Sequence, residues 1–343
     1  MTLILALETS CDDTCAAVVG ADGTLQSNVI SSQGIHDAYG GVVPEIASRH
    51  HLELVNAAVD DALRRADATL DDVGLVAVTQ GPGLVGALLV GVATAKAIAA
   101  ARGLPLAPVD HLQGHVAANF LRVRLGAGGA ISHPEAIMEP PFVCLLASGG
   151  HTLLARVEEH DGFTVLGRTL DDAAGEAFDK GARLLGLPFP GGPALERLAR
   201  DGDPEAFAFP IARRLDGLDF SFAGVKTSLL YRVRDLGPTD AATYAADLAA
   251  SYQHAIVEAL ALRCEQALEQ TGLGRLAIGG GVAANGPLRA RLQQLGAALG
   301  IPPRELCTDN AAMIASAARF VTPQPFPAYL SLDAYASGER ALA

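Results

Sequence analysis

The sequence predicts an α/β protein built from two similar lobes. Its 343 residues are too many for one ordinary hydrophobic core, because cores usually divide beyond roughly 250–300 residues. Apolar runs of strand length alternate with longer segments of helical periodicity, which is typical of α/β proteins. In addition, a strand, a small polar loop and a second strand begin near Leu5 and begin again near Leu145. This repeat predicts that each lobe opens with a β-meander.

The first half of the chain alternates strands and helices. We expect strands at Leu3–Leu7, Cys15–Val19, Leu25–Ile30, Val73–Thr79 and Leu106–Val109, and helices at Pro44–Ala66, Leu84–Arg102 and His111–Arg122. The first strand is apolar throughout, which indicates a strand buried on both faces of its sheet. Asp22-Gly23 is a turn signal that joins the second and third strands as a hairpin.

The second half repeats this order. We expect strands at Phe142–Ala147, Thr152–Val157, Phe163–Leu166 and Arg275–Ile278, and helices at Ala173–Leu185, Pro287–Leu295 and Ala311–Phe320. Aspartate is a common N-cap residue, so we expect Asp309 to cap the last helix. The expected first lobe comprises residues 1–115 and 307–330, the second lobe residues 140–306, with an inserted glycine-rich loop at 126–139 and a surface tail at 322–343.

Composition limits the classes of function. A formal net charge of −13 excludes a protein held on nucleic acid by bulk positive charge, since phosphate contacts need Lys and Arg. The five cysteines are odd in number and scattered, so a reducing cytoplasm is the simpler expectation.

The amino terminus lacks the basic region of a signal peptide. The uncharged stretch 73–95 is long enough to span a bilayer, but Pro82 and its neighbouring glycines favour strand, loop and buried helix, and we expect no membrane contact.

Two histidines, His111 and His115, lie four positions apart in the segment HLQGH. On a helix this spacing puts both rings on one face, close enough to bind one metal ion, and the alternative is a pair of exposed side chains. Zinc peptidases have a glutamate base directly after the first histidine, whereas Leu112 stands there in this chain. Asp309 is the candidate third ligand, since two imidazoles and one carboxylate leave positions open for a substrate.

Glycine-rich loops at 148–150, 191–192 and 279–281 adjoin predicted strands or helices of the second lobe. Glycine lets backbone N–H groups approach a phosphate or a flat base, and a helix amino terminus adds a favourable dipole. Any one of these loops is equally compatible with a plain tight turn. Three of them in one lobe favour nucleotide binding.

A rival nucleotide signal lies in the first lobe. The segment GPGLVG at 81–86 matches the G-x-G-x-x-G pattern between a strand and a helix, and Asp110 ends the next strand, as in NAD-binding oxidoreductases. Pro82, however, removes a backbone donor from the loop. This interpretation also leaves the paired histidines without a role, so an NAD-dependent oxidoreductase ranks second.

Acidic residues follow two of the predicted turns. Asp12 and Asp13 come directly after the first strand, where clefts between lobes place polar side chains. Asp172, Glu176 and Asp179 share one face of a predicted helix. The face is either exposed to solvent or partly buried. Partial burial is suggested by the alanine and phenylalanine residues that lie between the acids in the sequence.

The window 211–234 is the most basic stretch of this acidic chain. It either contacts RNA phosphates or carries scattered exposed cations. Its basic residues are Arg213, Arg214, Lys226, Arg232 and Arg234.

Taken together, these motifs resemble one known family. They are ETSCDDT, YGGVVPEIASRHH, GPGLVGALLVG, HLQGH, LASGGHT, DDAAGEAFDK, PGGPALE, LDFSFAGVKT, GGGVAAN and CTDNAAMIA, in this order along nearly the whole chain up to about residue 320. The chain is similar to the bacterial tRNA N6-adenosine threonylcarbamoyltransferases, once described as O-sialoglycoprotein endopeptidases. The resemblance implies an actin-like ATPase fold, with two similar lobes around a nucleotide-binding cleft.

The resemblance also implies an activity and its site. The family transfers a threonylcarbamoyl group from threonylcarbamoyl-AMP to N6 of adenosine 37 in tRNAs that decode codons beginning with A. His111, His115 and Asp309 match its metal ligands, for one divalent ion, usually Fe(II), with Zn(II) as the other option. Its substrate-binding positions are matched by Leu146, Ala147, Ser148, Gly149, Gly150, Asp179, Gly192, Glu196 and Asn285.

A mechanism follows as a hypothesis. The chain would hold donor and amine in line and stabilise oxyanion charge, with backbone N–H groups of 148–150 on donor oxygens. Asp179 and Asn285 would bind the ribose or adenine, and Asp12 would accept the proton from N6. The implied partners are tRNA, a degenerate paralogue of the same fold and a P-loop ATPase. The alternatives of the same fold are a non-catalytic nucleotide-binding scaffold and a sugar or acyl kinase.

Overall fold

The computed structural model describes residues 2–125, 130–132, 138–213 and 215–336. The chain forms two compact units. Unit 1 comprises Met1–Pro140, Glu158–Phe163 and Asp309–Ala343, and unit 2 comprises Pro141–Val157 and Thr164–Thr308. Each contains a five-stranded sheet with helices, so the predicted α/β class is confirmed.

The regular elements are numbered along the chain. The strands are β1 (Leu3–Glu8), β2 (Asp13–Gly20), β3 (Leu25–Ser32), β4 (Val73–Gly81), β5 (Leu106–Asp110), β6 (Val123–Leu125), β7 (Ala130–Ser132), β8 (Phe142–Ala147), β9 (Thr152–Glu159), β10 (Gly162–Arg168), β11 (Arg275–Gly279) and β12 (Ala298–Gly300). The α-helices are α1 (Pro44–Arg65), α2 (Val85–Arg102), α3 (His111–Ala117), α4 (Ala174–Leu184), α5 (Gly191–Ala199), α6 (Ala223–Thr243), α7 (Ala245–Thr271), α8 (Gly286–Gln293) and α9 (Ala311–Ala318).

The two sheets have equivalent strand orders. The order is β3-β2-β1-β4-β5 in unit 1 and β10-β9-β8-β11-β12 in unit 2. In each, the central strand pairs antiparallel with the next strand of the chain and parallel with a later one. The repeated meander that the sequence predicts is therefore part of a repeat of the whole sheet.

The central strand of unit 1 is buried on both faces. Leu5 and Leu7 pack with Val55 of α1 and Val90 of α2, while α9 packs against β1 and β2. Because neither face meets water, the strand has no alternation of polar and apolar residues. This packing fixes the position of the carboxyl end of β1, where Glu8 is the last residue.

The core of unit 2 is formed around two long helices that the sequence analysis does not assign. Leu145 and Leu154 of its sheet pack with Phe178 of α4 and with Ile256 of α7. Helix α6 is interrupted at Gly237, which has a φ of 74°. The break and the weak apolar periodicity of this stretch hide the helices from a pattern search.

Two predictions about helix ends are wrong. The helix that starts at His111 ends at Ala117 and continues only as a 3₁₀ turn to Phe120, and does not reach Arg122. The last helix is capped by Asn310, whose Oδ1 accepts a hydrogen bond from the N–H of Met313 at 2.9 Å, and not by Asp309. The carboxylate of Asp309 therefore lies outside the cap.

The prediction of a surface tail after residue 322 is also wrong for its described part. Gln324 forms a bridge with Leu106 at the edge of β5, and Tyr329 is fully buried. The hydroxyl of Tyr335 donates to Oδ2 of Asp110 at 2.6 Å. The bridge is made by backbone groups and the other two contacts by isolated tyrosine side chains, and neither kind of contact leaves a periodic signal in the sequence. Most of the predicted insertion 126–139 lies outside the described residues.

Within the described ranges one helix, α2, is long and apolar enough to cross a membrane, with a mean hydropathy of 1.5. This is weak evidence for a membrane span, because the core helix of a folded domain passes the same test. Helix α2 packs against α1 and β4, and Leu88 and Val92 are buried.

Candidate metal centre and glycine-lined pocket

The paired histidines lie on α3, directly after β5. Asp110 caps this helix, since its Oδ1 accepts hydrogen bonds from the N–H groups of Leu112 at 2.8 Å and Gln113 at 3.0 Å. The cap fixes the first turn. His111 and His115 consequently lie on one face, both buried, with ring centroids 4.7 Å apart and an interplanar angle of 79°.

Asp309 faces the histidine pair from the segment before α9. Its Oδ1 lies 3.3 Å from Nε2 of His115 and 3.6 Å from Nε2 of His111. Helix α9 can approach α3 closely because Gly114 has no side chain, and a Cβ there would lie 2.8 Å from Cδ1 of Ile314. The three ligand atoms lie within 4.8 Å of one another.

This donor set fits a divalent cation. Two imidazole nitrogens with one carboxylate oxygen suit Fe(II) or Zn(II). Ligand atoms about 2.1 Å from a tetrahedral ion are about 3.4 Å apart, close to the two distances measured to Asp309. Neither ring nitrogen of His115 has a hydrogen-bond partner among the described residues, although the residue is 1% exposed. An unsatisfied buried polar group costs roughly 1–3 kcal/mol, and a cation at Nε2 would remove part of this cost.

The surrounding charges also favour a cation. Burial lowers the pKa of His111, but the carboxylates of Asp309 and Glu8 outweigh burial and raise this pKa to about 9. Two buried or half-buried carboxylates thus stabilise positive charge at the imidazoles. A proton and a metal ion would compete for that place.

The loop between β1 and β2 brings two more carboxyl groups into unit 1. The backbone carbonyl of Asp12, the predicted base, accepts a hydrogen bond from the N–H of Gln33 at 3.2 Å. Its neighbour Asp13 was given no role from the sequence. Burial, with the charges of Asp309 and Asp12, raises the pKa of Asp13 to about 7. A carboxyl group with such a pKa can exchange a proton near neutrality.

Unit 2 contains a cavity of about 260 Å³ at the glycine-rich loops. Of the predicted substrate-binding residues, five line it: Gly149, Asp179, Gly192, Glu196 and Asn285. Residues that the sequence analysis missed give it apolar walls, since Phe178 and Val282 also line it. Their only sequence signal is proximity to the predicted loops. An apolar cavity with a few polar groups suits a flat base with a polar sugar.

The other predicted substrate residues do not line this cavity. Leu146 and Ala147 are buried within β8, each 1% exposed. The N–H of Ser148 donates to the carbonyl of His151 at 2.8 Å, so it closes the turn and is not available to a donor oxygen. The expectation that all N–H groups of 148–150 face the substrate is therefore wrong for Ser148.

The polar residues of the cavity hold its walls in place. Oδ1 of Asp179 accepts from the N–H groups of Gly191 at 2.8 Å and Gly192 at 3.3 Å, which fixes the start of α5. Burial raises the pKa of Asp179. Gly280, with a φ of 86°, lies so close to β8 that a Cβ would be 2.4 Å from the carbonyl oxygen of Ala147.

Asn285 is committed to other side chains and to a helix cap. Its Nδ2 donates to Oε1 of Gln253 at 2.9 Å and to Oε2 of Glu196 at 3.2 Å. Its Oδ1 accepts from the N–H of Leu288 at 3.0 Å and caps α8. Both amide hydrogens are used, so Asn285 supports the cavity wall and retains only acceptor capacity.

The rival loop at 81–86 is closed by protein contacts. The N–H of Gly83 donates to the carbonyl of Ala336 at 3.0 Å, and that of Leu84 to the carbonyl of Ser10 at 2.8 Å. These donors are the ones a pyrophosphate would need. The loop thus lacks the arrangement required for NAD.

The acidic and basic segments neutralise each other. Asp172 binds Lys180 at 2.7 Å and Lys226 at 2.6 Å, and Glu176 binds Lys180 at 2.8 Å. Arg234 pairs with its neighbour Asp235 at 2.9 Å. Within unit 2, only Asp179 of the three predicted acids reaches the cavity, and Arg214 lies outside the described residues.

Comparison with known proteins identifies relatives along nearly the whole chain. The sequence profile of the family described as tRNA N6-adenosine threonylcarbamoyltransferase matches residues 24–316. A protein of that name from Symbiobacterium thermophilum is 51% identical over 93% of this chain and 91% of its own length. One from Geobacter metallireducens is 48% identical over 97% of this chain and 95% of its own length.

Solved structures of lower identity share the fold. Component A of the (R)-2-hydroxyglutaryl-CoA dehydratase from Acidaminococcus fermentans is 13% identical, with a TM-score of 0.52 over 93% of this chain and 96% of its own. Full-length HypF is 14% identical, with a TM-score of 0.57 over 98% of this chain and 47% of its own. Both are actin-like ATPase folds, so the predicted fold is confirmed.

Proposed function

Since this chain belongs to the tRNA N6-adenosine threonylcarbamoyltransferase family, we propose that it transfers a threonylcarbamoyl group from threonylcarbamoyl-AMP to N6 of adenosine 37 in tRNAs that decode codons beginning with A. AMP is the leaving group. The observation that carries the proposal is the family match over residues 24–316, in a chain whose His111, His115 and Asp309 converge on one point. The relatives give no support to an NAD-dependent oxidoreductase or to a scaffold without activity.

The cavity of unit 2 is the proposed adenylate site. Its apolar walls at Phe178 and Val282 would contact the adenine. The second carboxylate oxygen of Asp179 would accept a ribose hydroxyl, since Oδ1 is used by the backbone of α5. The N–H groups of Gly149 and Gly150 remain the proposed donors to phosphate or carbamoyl oxygens, without that of Ser148.

The proposed cation site belongs to unit 1. His111, His115 and Asp309 would hold one divalent ion, Fe(II) or Zn(II), which when bound supplies positive charge to oxygen atoms of the donor. The chain itself would orient the donor and exclude water, which otherwise hydrolyses a reactive mixed anhydride. Because AMP is a good leaving group, positioning is the larger part of the task.

A base must accept the proton that N6 loses. Asp12 remains the proposed base, and Asp13 joins it as a candidate because its pKa of about 7 suits proton exchange at neutral pH. Substitution of each carboxyl group separately by its amide distinguishes the two. The base is the one whose loss lowers kcat and removes the acidic limb of the pH profile.

We also propose the partners and the location. A chain with a net charge of −13 binds tRNA phosphates poorly without help. A paralogue of the same fold and a P-loop ATPase would share tRNA binding or turnover, and a separate synthase would make the donor. All of these, with the tRNA, are expected in the cytoplasm.

The test is direct transfer. The chain, with the partner proteins, is incubated with threonylcarbamoyl-AMP and unmodified tRNA, and the nucleosides are analysed by mass spectrometry. Threonylcarbamoyladenosine at position 37 and an equal amount of AMP are expected. A tRNA whose position 37 is not adenosine is the matched control. Product formation from a small acceptor and ATP without tRNA would identify a kinase and contradict the proposal.

A further inference from the structure

Glu8, at the carboxyl end of β1, is a carboxylate with no exposed surface. Its Oε2 accepts hydrogen bonds from Oγ1 of Thr79 at 2.5 Å and from Nδ1 of His111 at 3.0 Å. Its Oε1 accepts one from the N–H of Ser10. Burial of a carboxylate is costly unless such partners compensate for the lost water. Glu8 is not recognisable as a site residue from the sequence, because a single acid at the end of an apolar strand has no characteristic spacing to other polar residues.

The contact with Glu8 determines which nitrogen of His111 carries hydrogen. An ionised carboxylate only accepts hydrogen bonds, so Nδ1 of His111 must be the donor. The lone pair of a neutral His111 ring is then on Nε2, which is the nitrogen that faces Asp309 at 3.6 Å. The ring is thus presented to the proposed cation in the only tautomer that can bind it there.

We propose that Glu8 is a positioning residue of the cation site. It fixes the orientation and tautomer of His111 and, through its charge, strengthens the imidazole as a ligand. This inference rests on the role given to His111, His115 and Asp309 in the proposed function. Glu8 itself lies on the far side of the ring and does not bind the ion.

The two imidazoles are therefore supported unequally. His111 has Glu8 and also Oγ of Ser10, 3.2 Å from Nδ1. Nδ1 of His115 has no hydrogen-bond partner within the described part of the chain. The orientation of the His115 ring therefore depends on its packing in α3 and on its contact with Asp309. Loss of Glu8 consequently removes the carboxylate that contacts Nδ1 of His111.

The test measures binding of cobalt(II) to the purified chain after chelator treatment, with no tRNA or donor present. Glu8→Gln keeps the shape of the side chain and removes the charge, and Glu8→Asp keeps the charge and shortens the reach. Both are expected to bind cobalt(II) 10–100-fold more weakly and to show weaker or shifted visible absorption bands. The matched control is Glu45→Gln, which removes an exposed charge of α1 that is paired with Arg49 and is expected to change affinity less than about threefold.

The two variants distinguish the effect of the charge of Glu8 from the effect of its contact with His111. Wild-type affinity in Glu8→Gln would overturn the inference, and so would wild-type affinity in Glu8→Asp, since charge alone would then suffice. Thermal unfolding of the metal-free variants checks that each is folded, and Thr79→Val offers a milder perturbation of Glu8 if one is not. Because the readout is cobalt binding, the proposed transfer reaction can fail without affecting this result.

Discussion

His111, His115 and Asp309 show how much depends on single side chains. The spacing of the histidines predicted one shared helix face, and Asp309 was the candidate third ligand, which the resemblance also implied. The structure adds the distances of 3.3 Å and 3.6 Å and the carboxylate behind His111. Neither could be predicted from the sequence, because residues 8, 111 and 309 are brought together only by the packing of β1, α3 and the start of α9.

The first prediction concerns His111. Replacement of this residue by alanine should lower threonylcarbamoyl transfer at least about 100-fold, because the proposed cation site loses one of its two nitrogen ligands, while the fold persists. Transfer is followed by mass spectrometry of tRNA nucleosides and folding by circular dichroism. His50→Ala is the control, since His50 lies on the surface of α1 with its side chain 33% exposed. Equal losses in both variants would contradict the assignment.

The second prediction concerns Asp13 and pH. Burial raises its pKa from 3.8 to about 7, so between these values the folded chain binds more protons than the unfolded chain. The free energy of unfolding should therefore fall as pH rises from about 4 to 7. Asp13→Asn removes this dependence, and its stability relative to the wild type should be greater at pH 8 than at pH 5.5. Urea unfolding of metal-free protein at both pH values measures this, and a pH-independent difference would contradict the shift.

At the scale of secondary-structure elements, the contact between α3 and α9 sets the geometry of the proposed cation site. The sequence predicted both helices but misplaced the cap of α9 and the end of α3. Capping is decided by which of two adjacent side chains, Asp309 or Asn310, turns toward the helix. Residue preference alone does not distinguish them, since both types cap well.

The third prediction concerns this contact. Gly114→Ala should lower the free energy of unfolding by about 1–3 kcal/mol, because the new Cβ would lie 2.8 Å from Cδ1 of Ile314. Cobalt(II) affinity should fall with it as α3 is displaced. Adding Ile314→Val removes that methyl group and should restore part of both quantities. If the double variant is no better than the single one, the steric explanation fails.

At the scale of the whole molecule, the duplication of the sheet was predictable and much of the loop chemistry was not. Apolar runs and turn residues repeat along the chain, so they reveal two similar halves. The use of the N–H of Ser148 within its own turn, the closed loop at 81–86 and the commitment of Asn285 depend on contacts distant in sequence. Five of the nine residues that the motifs predict as substrate-binding line the cavity of unit 2. The N–H of Ser148 and both amide hydrogens of Asn285 are instead bound by other groups of the protein.

The fourth prediction concerns net charge. With a charge of −13, and with Lys226 and Arg234 already paired to carboxylates, the chain alone should bind tRNA with a dissociation constant above about 1 µM at physiological salt. Addition of the proposed partners should tighten binding at least tenfold. Filter binding at several salt concentrations measures both values. Nanomolar binding by the chain alone would contradict this prediction, since it would require a basic surface elsewhere on the chain.

The contact between Tyr335 and Asp110 has a practical consequence. Asp110 caps the helix that carries both imidazoles, and its other carboxylate oxygen is bound by a hydroxyl a few residues before the end of the chain. Removal of about twenty carboxyl-terminal residues, by truncation or by proteolysis, would therefore weaken the support of the proposed cation site, although none of these residues belongs to it. Purification handles for this enzyme are better attached at the opposite end.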